Sequence, residues 1–235
     1  MSSSTSPPRR AEVAADRIRE GILRGAWRAG ERLPGERDMA TQLGVHRGTV
    51  REALIALEHQ GLVSTRPGGT IVCALQEASI GVVQHLLAVD GVPNRALIGQ
   101  LLDVHEMLVA GAARLAVERG SRDELVRAEE LVARLTDPAA RTRAGLAELF
   151  DEIAELITRA SGNLVLQLWR NTLRPALAEH LHTLRERLAP DPETLARLSR
   201  GIRERDPAAT EEGVRALLRQ RRAELMAALD ATRAH

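Results

Sequence analysis

The chain has 235 residues, 33 basic against 32 acidic side chains for a formal net charge of +1, and a 44% hydrophobic fraction. That balance is too apolar for intrinsic disorder, no uninterrupted apolar run approaches the roughly 18 residues of a membrane span, and the lone cysteine, Cys73, cannot close an internal disulfide. Two Trp, one Phe and no Tyr argue against binding single strands by base stacking, which leaves a cytoplasmic, mainly helical protein of one or two domains.

Met1 to Arg10 is Ser/Pro-rich and then basic, so it reads as a solvated tail rather than a signal peptide. Ala11 to Gly25 has the spacing of an amphipathic helix, with Val13, Ile18, Ile22 and Leu23 recurring at three- and four-residue steps and Gly25 as its stop. A turn-rich link, Arg28 to Gly35, follows, with Pro34 placed to begin the next helix. Glu36 to Leu43 is a short helix closed by Gly44, and His46 to Gln60 is a second, with Val50, Leu54 and Leu57 on one face and Gly61 as its stop. Two such helices joined by Leu43-Gly44-Val45 make a helix-turn-helix pattern. Leu62–Thr65 and Thr70–Cys73 are β-prone runs around Arg66-Pro67-Gly68-Gly69, a two-stranded hairpin with glycine where the turn needs positive φ.

Beyond Gln76 the strand signals stop. Ile80 to Val89 reads as a short apolar helix, and Asp90-Gly91-Val92-Pro93 breaks it. Helices are then expected at Arg95–Arg119, Ser121–Leu135, Arg141–Ala160, Leu164–Leu188, Pro192–Arg205 and Pro207–Arg233, enough for a bundle whose core can hold a cavity. The expected organisation is a tail at 1–10, a winged helix-turn-helix at 11–75, a linker helix and turn at 76–93, and an all-helical domain at 94–235. The fold class is mainly α.

All 33 basic residues are arginine, and they are unevenly spread. Residues 1–75 hold 11 Arg against 8 acids and the remainder 22 against 24, so a +3 segment precedes a −2 segment. Arg37, Arg47, Arg51 and Arg66 gather around the second helix of the pair and its hairpin.

The run Leu33-Pro34-Gly35-Glu36-Arg37-Asp38-Met39-Ala40, continued by Leu43 to Leu54, by Leu57 to Val63 and by the hairpin ending Gly69-Thr70-Ile71-Val72, closely resembles the winged-helix domain of the GntR family of bacterial transcription regulators. Correct spacing over about 60 residues makes the match specific. The physics agrees with it: a helix opening at His46 points its first turn outward, as entry into a major groove requires. Arg47 and Arg51, four residues apart, share a face, and a guanidinium can bridge both acceptors of guanine. The resemblance implies DNA contacts from Arg37, His46, Arg47, Thr49 and Arg51, with Arg66, Gly68 and Gly69 of the wing at the minor groove or phosphates. His46 stands where the family usually has a small hydroxyl residue, and Gly48 where it often has Thr or Pro.

From about Ile80 to Arg233 the chain resembles the all-helical effector domain of the FadR subfamily. The resemblance rests on Leu101-Leu102-Asp103-Val104, Ala147-Glu148-Leu149 with Ile153, and Ala160-Ser161-Gly162-Asn163. It implies a homodimer on a pseudo-palindromic double-stranded operator and a small effector of fatty acyl-CoA or carboxylate type. Many members hold a metal through an Asp, a His four residues later and two further histidines; those positions here read Ala147, Asp151, Leu195 and Leu217. Leucine supplies no donor, so neither a metal nor another cofactor is expected, although Asp151, His105, His180 and His182 remain as the raw material of a non-standard site. Where the acyl-CoA sensor places residues near its ligand, this chain has Leu218, Arg221 and Leu225, with Arg222 adjacent. His105, Asn163, Arg170 and Arg174 complete the candidate effector residues, each with a plain structural alternative as core histidine, helix cap or solvated arginine.

No Gly-rich phosphate loop, HExxH, nucleophile elbow or paired-cysteine zinc spacing is present, so no enzyme is expected. The reading is a repressor whose operator affinity an effector modulates. The alternatives are an effector-independent architectural DNA binder and a metal-dependent carboxylate sensor.

Overall fold

A computed structural model describes residues 10–89, 92–137, 143–182 and 190–233. They form two compact units that divide between Val92 and Pro93.

The first unit opens with α1 (Arg10–Leu23), α2 (Glu36–Leu43) and α3 (Arg47–His59) and closes on the hairpin of β1 (Val63–Arg66) and β2 (Gly69–Val72). The hydrophobic face of α1 is Ala14, Ala15, Ile18 and Ile22; Val13, expected on that face, points to solvent at 38% exposure, because the helix packs through its alanines. Val50, Leu54 and Leu57 of α3 are buried as the spacing requires, joined by Ala53. Between α2 and α3 the chain turns at Gly44, whose left-handed backbone (φ 67°) lets its N–H reach the carbonyls of Ala40 and Thr41. The hairpin pairs Val63 with Val72 through to Arg66 with Gly69, so its turn is Pro67-Gly68 and each strand lies one residue nearer the turn than expected. The link before α2 also joins the sheet. Arg32 bridges Ile71, and the N–H groups of Leu33 and Val72 donate to Thr70 and Glu31.

The stretch expected as a linker packs into this unit, with Val82 buried in its core. It is a 3-10 turn at Ile80–Val82 followed by α4 (Val83–Leu86). Two-residue strands, β3 (Ala88–Val89) and β4 (Val92–Pro93), then pair with each other, contrary to the expectation that strands end at Gln76. They are too short to show the alternation by which a strand is read from sequence.

The second unit is a helical bundle: α5 (Arg95–Arg119), α6 (Arg122–Arg134), α7 (Arg143–Ala160), α8 (Leu164–His182), α9 (Pro192–Arg203) and α10 (Pro207–Arg233). Its starts follow local chemistry. Ser121 and Glu124 close a reciprocal capping box on α6, and Asp191 caps α9 ahead of Pro192 at its first turn. α9 and α10 approach so closely that a Cβ on Gly213 would stand 3.1 Å from Leu198 Cα, which makes glycine the residue that fits the crossing. Among the described helices α5 alone is long and apolar enough to cross a membrane by length and composition. Its charged interruptions are met by another helix of the bundle: Asp103 pairs with Arg222, and Glu106 with Arg215 and Arg219.

Candidate DNA interface and effector cavity

The residues expected to meet DNA fall on α2, on the first turns of α3 and at the hairpin turn. Arg37 lies in the first turn of α2, His46 is the N-cap of α3, and Arg47, Thr49 and Arg51 occupy its first two turns. Arg66 ends β1, with Gly68 and Gly69 at the turn. All are exposed except Thr49, which is half-buried. Arg47 Nε donates to Glu36 at 2.7 Å, so α2 orients one of the two arginines of α3. Arg37, Arg51 and Arg66 have no carboxylate partner among the described residues. A Cβ on Gly48 would meet nothing within 4 Å, so this departure from the usual family residue leaves an open surface between Arg47 and Thr49.

Arg32 is a neighbour that sequence reading passed over. Its side chain lies along the hairpin turn, 3.1 Å from where a Cβ on Gly69 would stand. Only the bridge to Ile71, which joins residues far apart in sequence, brings it there.

The second unit holds a partly open cavity of about 80 Å³. Sixteen of its twenty lining residues are Ala, Val, Leu or Ile; the others are His105, Phe150, Thr210 and Arg221. The contributing faces keep helical spacing. Phe150, Ile153, Ala154 and Ile157 line it from α7, and Val214, Leu217, Leu218 and Arg221 from α10.

Its polar groups are held by aromatic rings. The Arg221 guanidinium lies 3.7 Å above the centre of the Phe150 ring, and His105 stacks on Trp169 with ring centres 6.3 Å apart. His105 Nδ1 is sequestered and has no hydrogen-bond partner among the described residues. Burial, reinforced by the Arg221 charge, lowers the His105 pKa from 6.5 to about 4, so the imidazole is neutral at physiological pH.

The remaining effector candidates fall elsewhere. Leu218 lines the cavity, whereas Leu225 is buried outside it. Asn163 caps α8, its side chain accepting from the N–H groups of Val165 and Leu166. Arg170 and Arg174 both bind Asp151, with closest approaches of 2.6 and 2.7 Å; they are tied to α7 and are absent from the cavity lining. Phe150 and Trp169, which hold the two polar groups, were missed. Their signal was rarity, since they are two of only three aromatics in the chain.

The residues at the subfamily's metal position do not fit a metal. Asp151 is claimed by two guanidiniums, and Leu195 and Leu217 are buried hydrocarbon at 3% and 6% exposure, where borderline nitrogen donors would be needed. His180 and His182 lie outside the residues whose side chains are described. Among the described residues no group of three His, Cys, Asp or Glu side chains stands together.

Comparison with known proteins agrees with both units. The profile of bacterial regulatory proteins of the gntR family matches residues 10–72, and that of the FCD domain matches residues 100–220. The chain is 30% identical over 211 residues, 81% of its length and 76% of the relative's, to a protein of Mycobacterium gastri described as the HTH-type transcriptional regulator RmpR. It is 28% identical over 223 residues to the HTH-type transcriptional regulator Mce2R of Mycobacterium tuberculosis, covering 93% of this chain and 92% of that one. A structure of Lar, which controls expression of the Listeria monocytogenes agr system, shares the fold with a TM-score of 0.57 at 13% identity, over 94% of this chain and 98% of the other.

Proposed function

The chain belongs to the GntR family of bacterial regulatory proteins and is a transcription regulator with an effector-binding FCD domain, and from that premise we propose that it is a repressor released by a small ligand. A homodimer presents two copies of α3 to successive major grooves of a pseudo-palindromic operator. Arg47 and Arg51 read guanine from the first turns of α3. Arg37, His46 and Thr49 fix register on the backbone, and Arg66 reaches the minor groove or phosphates beside Gly68 and Gly69.

The observation that carries this reading is the set of exposed arginines without carboxylate partners at the start of α2, on α3 and at the hairpin turn. In a chain whose charges nearly cancel, guanidiniums left open at the surface suit a polyanion.

The effector, of carboxylate or acyl-CoA type, enters the cavity of the helical unit and acts through its different affinities for the DNA-competent and incompetent arrangements. A coupling of about 1–3 kcal/mol weakens operator binding roughly 5–150-fold.

The test begins by selecting an operator from a random duplex pool. Arg51→Ala should then lose about 1–3 kcal/mol of affinity and relax preference at one base pair. Unchanged affinity at physiological salt would remove α3 as the reading helix.

A further inference from the structure

We propose that Arg32, which lies outside both helices of the helix-turn-helix and outside its hairpin, is a second phosphate-binding cation of the wing, beside Arg66. The inference rests on the first unit being the operator-binding one, and it adds a contact from a residue that the motif itself does not contain.

Backbone register puts Arg32 there. Residues 30–33 lie along the edge of β2 that β1 leaves free: the N–H groups of Gly30 and Leu33 donate to Val72 and Thr70, and the Val72 N–H donates back to Glu31. Arg32 therefore stands opposite Ile71, and Ile71 opposite Ser64. Residues opposite one another in neighbouring strands share a face of the sheet, as do alternate residues of one strand. Arg32 thus shares a face with Ser64, Ile71, Gly69 and Arg66, while Leu33, Thr70 and Val72 are buried on the other. Two arginines, from opposite edges of the sheet, flank one hairpin turn.

The glycines of the turn seat the Arg32 side chain. A Cβ on Gly69 would stand 3.1 Å from Arg32 Cδ, and one on Gly68 3.4 Å from its Nη2. The stem therefore crosses Gly69 and the guanidinium ends beside Gly68. Its neighbouring acid is engaged elsewhere, since Glu31 accepts from the Arg28 N–H at 2.8 Å. Arg32 is exposed and has no carboxylate partner among the described residues.

A guanidinium whose stem is already laid down gives up less side-chain freedom on binding than one loose in solvent. Its fork of N–H donors matches two phosphate oxygens. Because the stem runs along the turn rather than beyond it, the head group meets the surface of a duplex, where the phosphates are, and not the floor of a groove.

The experiment uses the full chain and the operator selected from the random pool, with affinity measured between about 50 and 200 mM salt. Arg32→Met keeps an unbranched stem over the glycines and removes the charge, whereas Arg32→Lys keeps the charge and loses the fork. At the low-salt end Arg32→Met should bind operator and unrelated duplex alike about threefold to tenfold more weakly, with the selected base preference unchanged. Each phosphate contact carries a salt exponent of about −0.9, so this deficit should shrink about 3.5-fold per lost contact across the range. Arg32→Lys should restore the wild-type salt slope. Arg127→Ala, at an arginine of the helical unit held by two acids, should leave affinity and slope unchanged.

Circular dichroism of each variant separates lost binding from lost folding. Wild-type affinity and slope in Arg32→Met would overturn the proposal and leave Arg32 as packing for the hairpin. A loss with an unchanged slope would do the same, and a shifted base preference would remove phosphate as its target. Arg51→Ala, titrated alongside, separates this inference from the reading beneath it. If Arg51→Ala loses affinity and Arg32→Met does not, the proposal falls and α3 remains the reading helix; if neither loses any, the operator-binding assignment of the unit falls with it.

Discussion

The helical unit and the expected reading residues of the winged helix spend the same side chain differently. In the helical unit many arginines are paired with carboxylates, most of them at the surface. Arg95 pairs with Asp230, Arg127 with Glu130 and Glu152, Arg203 with Glu129, and Arg215 and Arg219 converge on Glu106, whose side chain is only 12% exposed. In the winged helix, Arg37, Arg51 and Arg66 stand exposed and an ion pair on α3, Arg47 to Glu36, links it to α2. A guanidinium's fixed fork serves both purposes, locking helices together through acids and meeting phosphates or guanine from outside. The lesson is that a net charge of +1 says little about partners: what matters is which arginines already have one.

The sharpest division between the units is in their cores. Leu131→Ala, at a fully buried site in the helical unit, should cost about 2–5 kcal/mol of stability and leave operator affinity of the folded protein unchanged. Leu57→Ala should do the same from within the winged helix. Chemical denaturation read beside operator titration checks both, and a loss of intrinsic operator affinity in Leu131→Ala would blur the division.

Next in size is a pH effect at His105 of the helical unit. His105 has a folded pKa of about 4 against 6.5 unfolded, so folding prefers the neutral ring. Its contribution is complete above pH 6.5 and is lost progressively as pH falls toward 4, where the folded form is protonated too. At pH 5 the loss is on the order of 2 kcal/mol. His105→Gln, uncharged in both states, should lack this component, so the variant's stability should fall less than the wild type's between pH 7 and 5. Parallel curves would contradict the assigned burial.

The smallest effects compare arginines directly. Arg127→Ala breaks exposed pairs and should change stability by less than about 1 kcal/mol, with operator binding intact. Arg66→Ala should leave stability alone but weaken DNA binding across all sequences and lower the salt dependence by about one ion. If Arg66→Ala altered base preference instead, the wing would be reading sequence.

Much of this was legible in the chain itself. Gly44 and Gly61 punctuate the helices of the first unit, and the bounds of α2, α5 and α10 coincide with those read from periodicity and stops. The helix-turn-helix and its wing are local patterns, each specified by residues within a few turns of one another, so sequence reveals them. The aliphatic character of the cavity was also foreseeable, because a chain with three aromatics must line a pocket mostly with Leu, Val, Ile and Ala.

The rest depended on neighbours that periodicity does not identify. Spacing does not say that Arg170 and Arg174 of α8 meet Asp151 on α7, so two residues that read as pocket candidates are tied to a neighbouring helix. Spacing likewise placed His105 on an apolar helix face without showing Trp169 beneath it or Arg221 on the same cavity wall. The sequence by itself determined the reader: a motif whose chemistry lies within about 60 contiguous residues. Only the tertiary structure decided the cavity of the helical unit, because its polar end is assembled from His105, Phe150, Trp169 and Arg221 on four helices, and long-range packing alone brings them together.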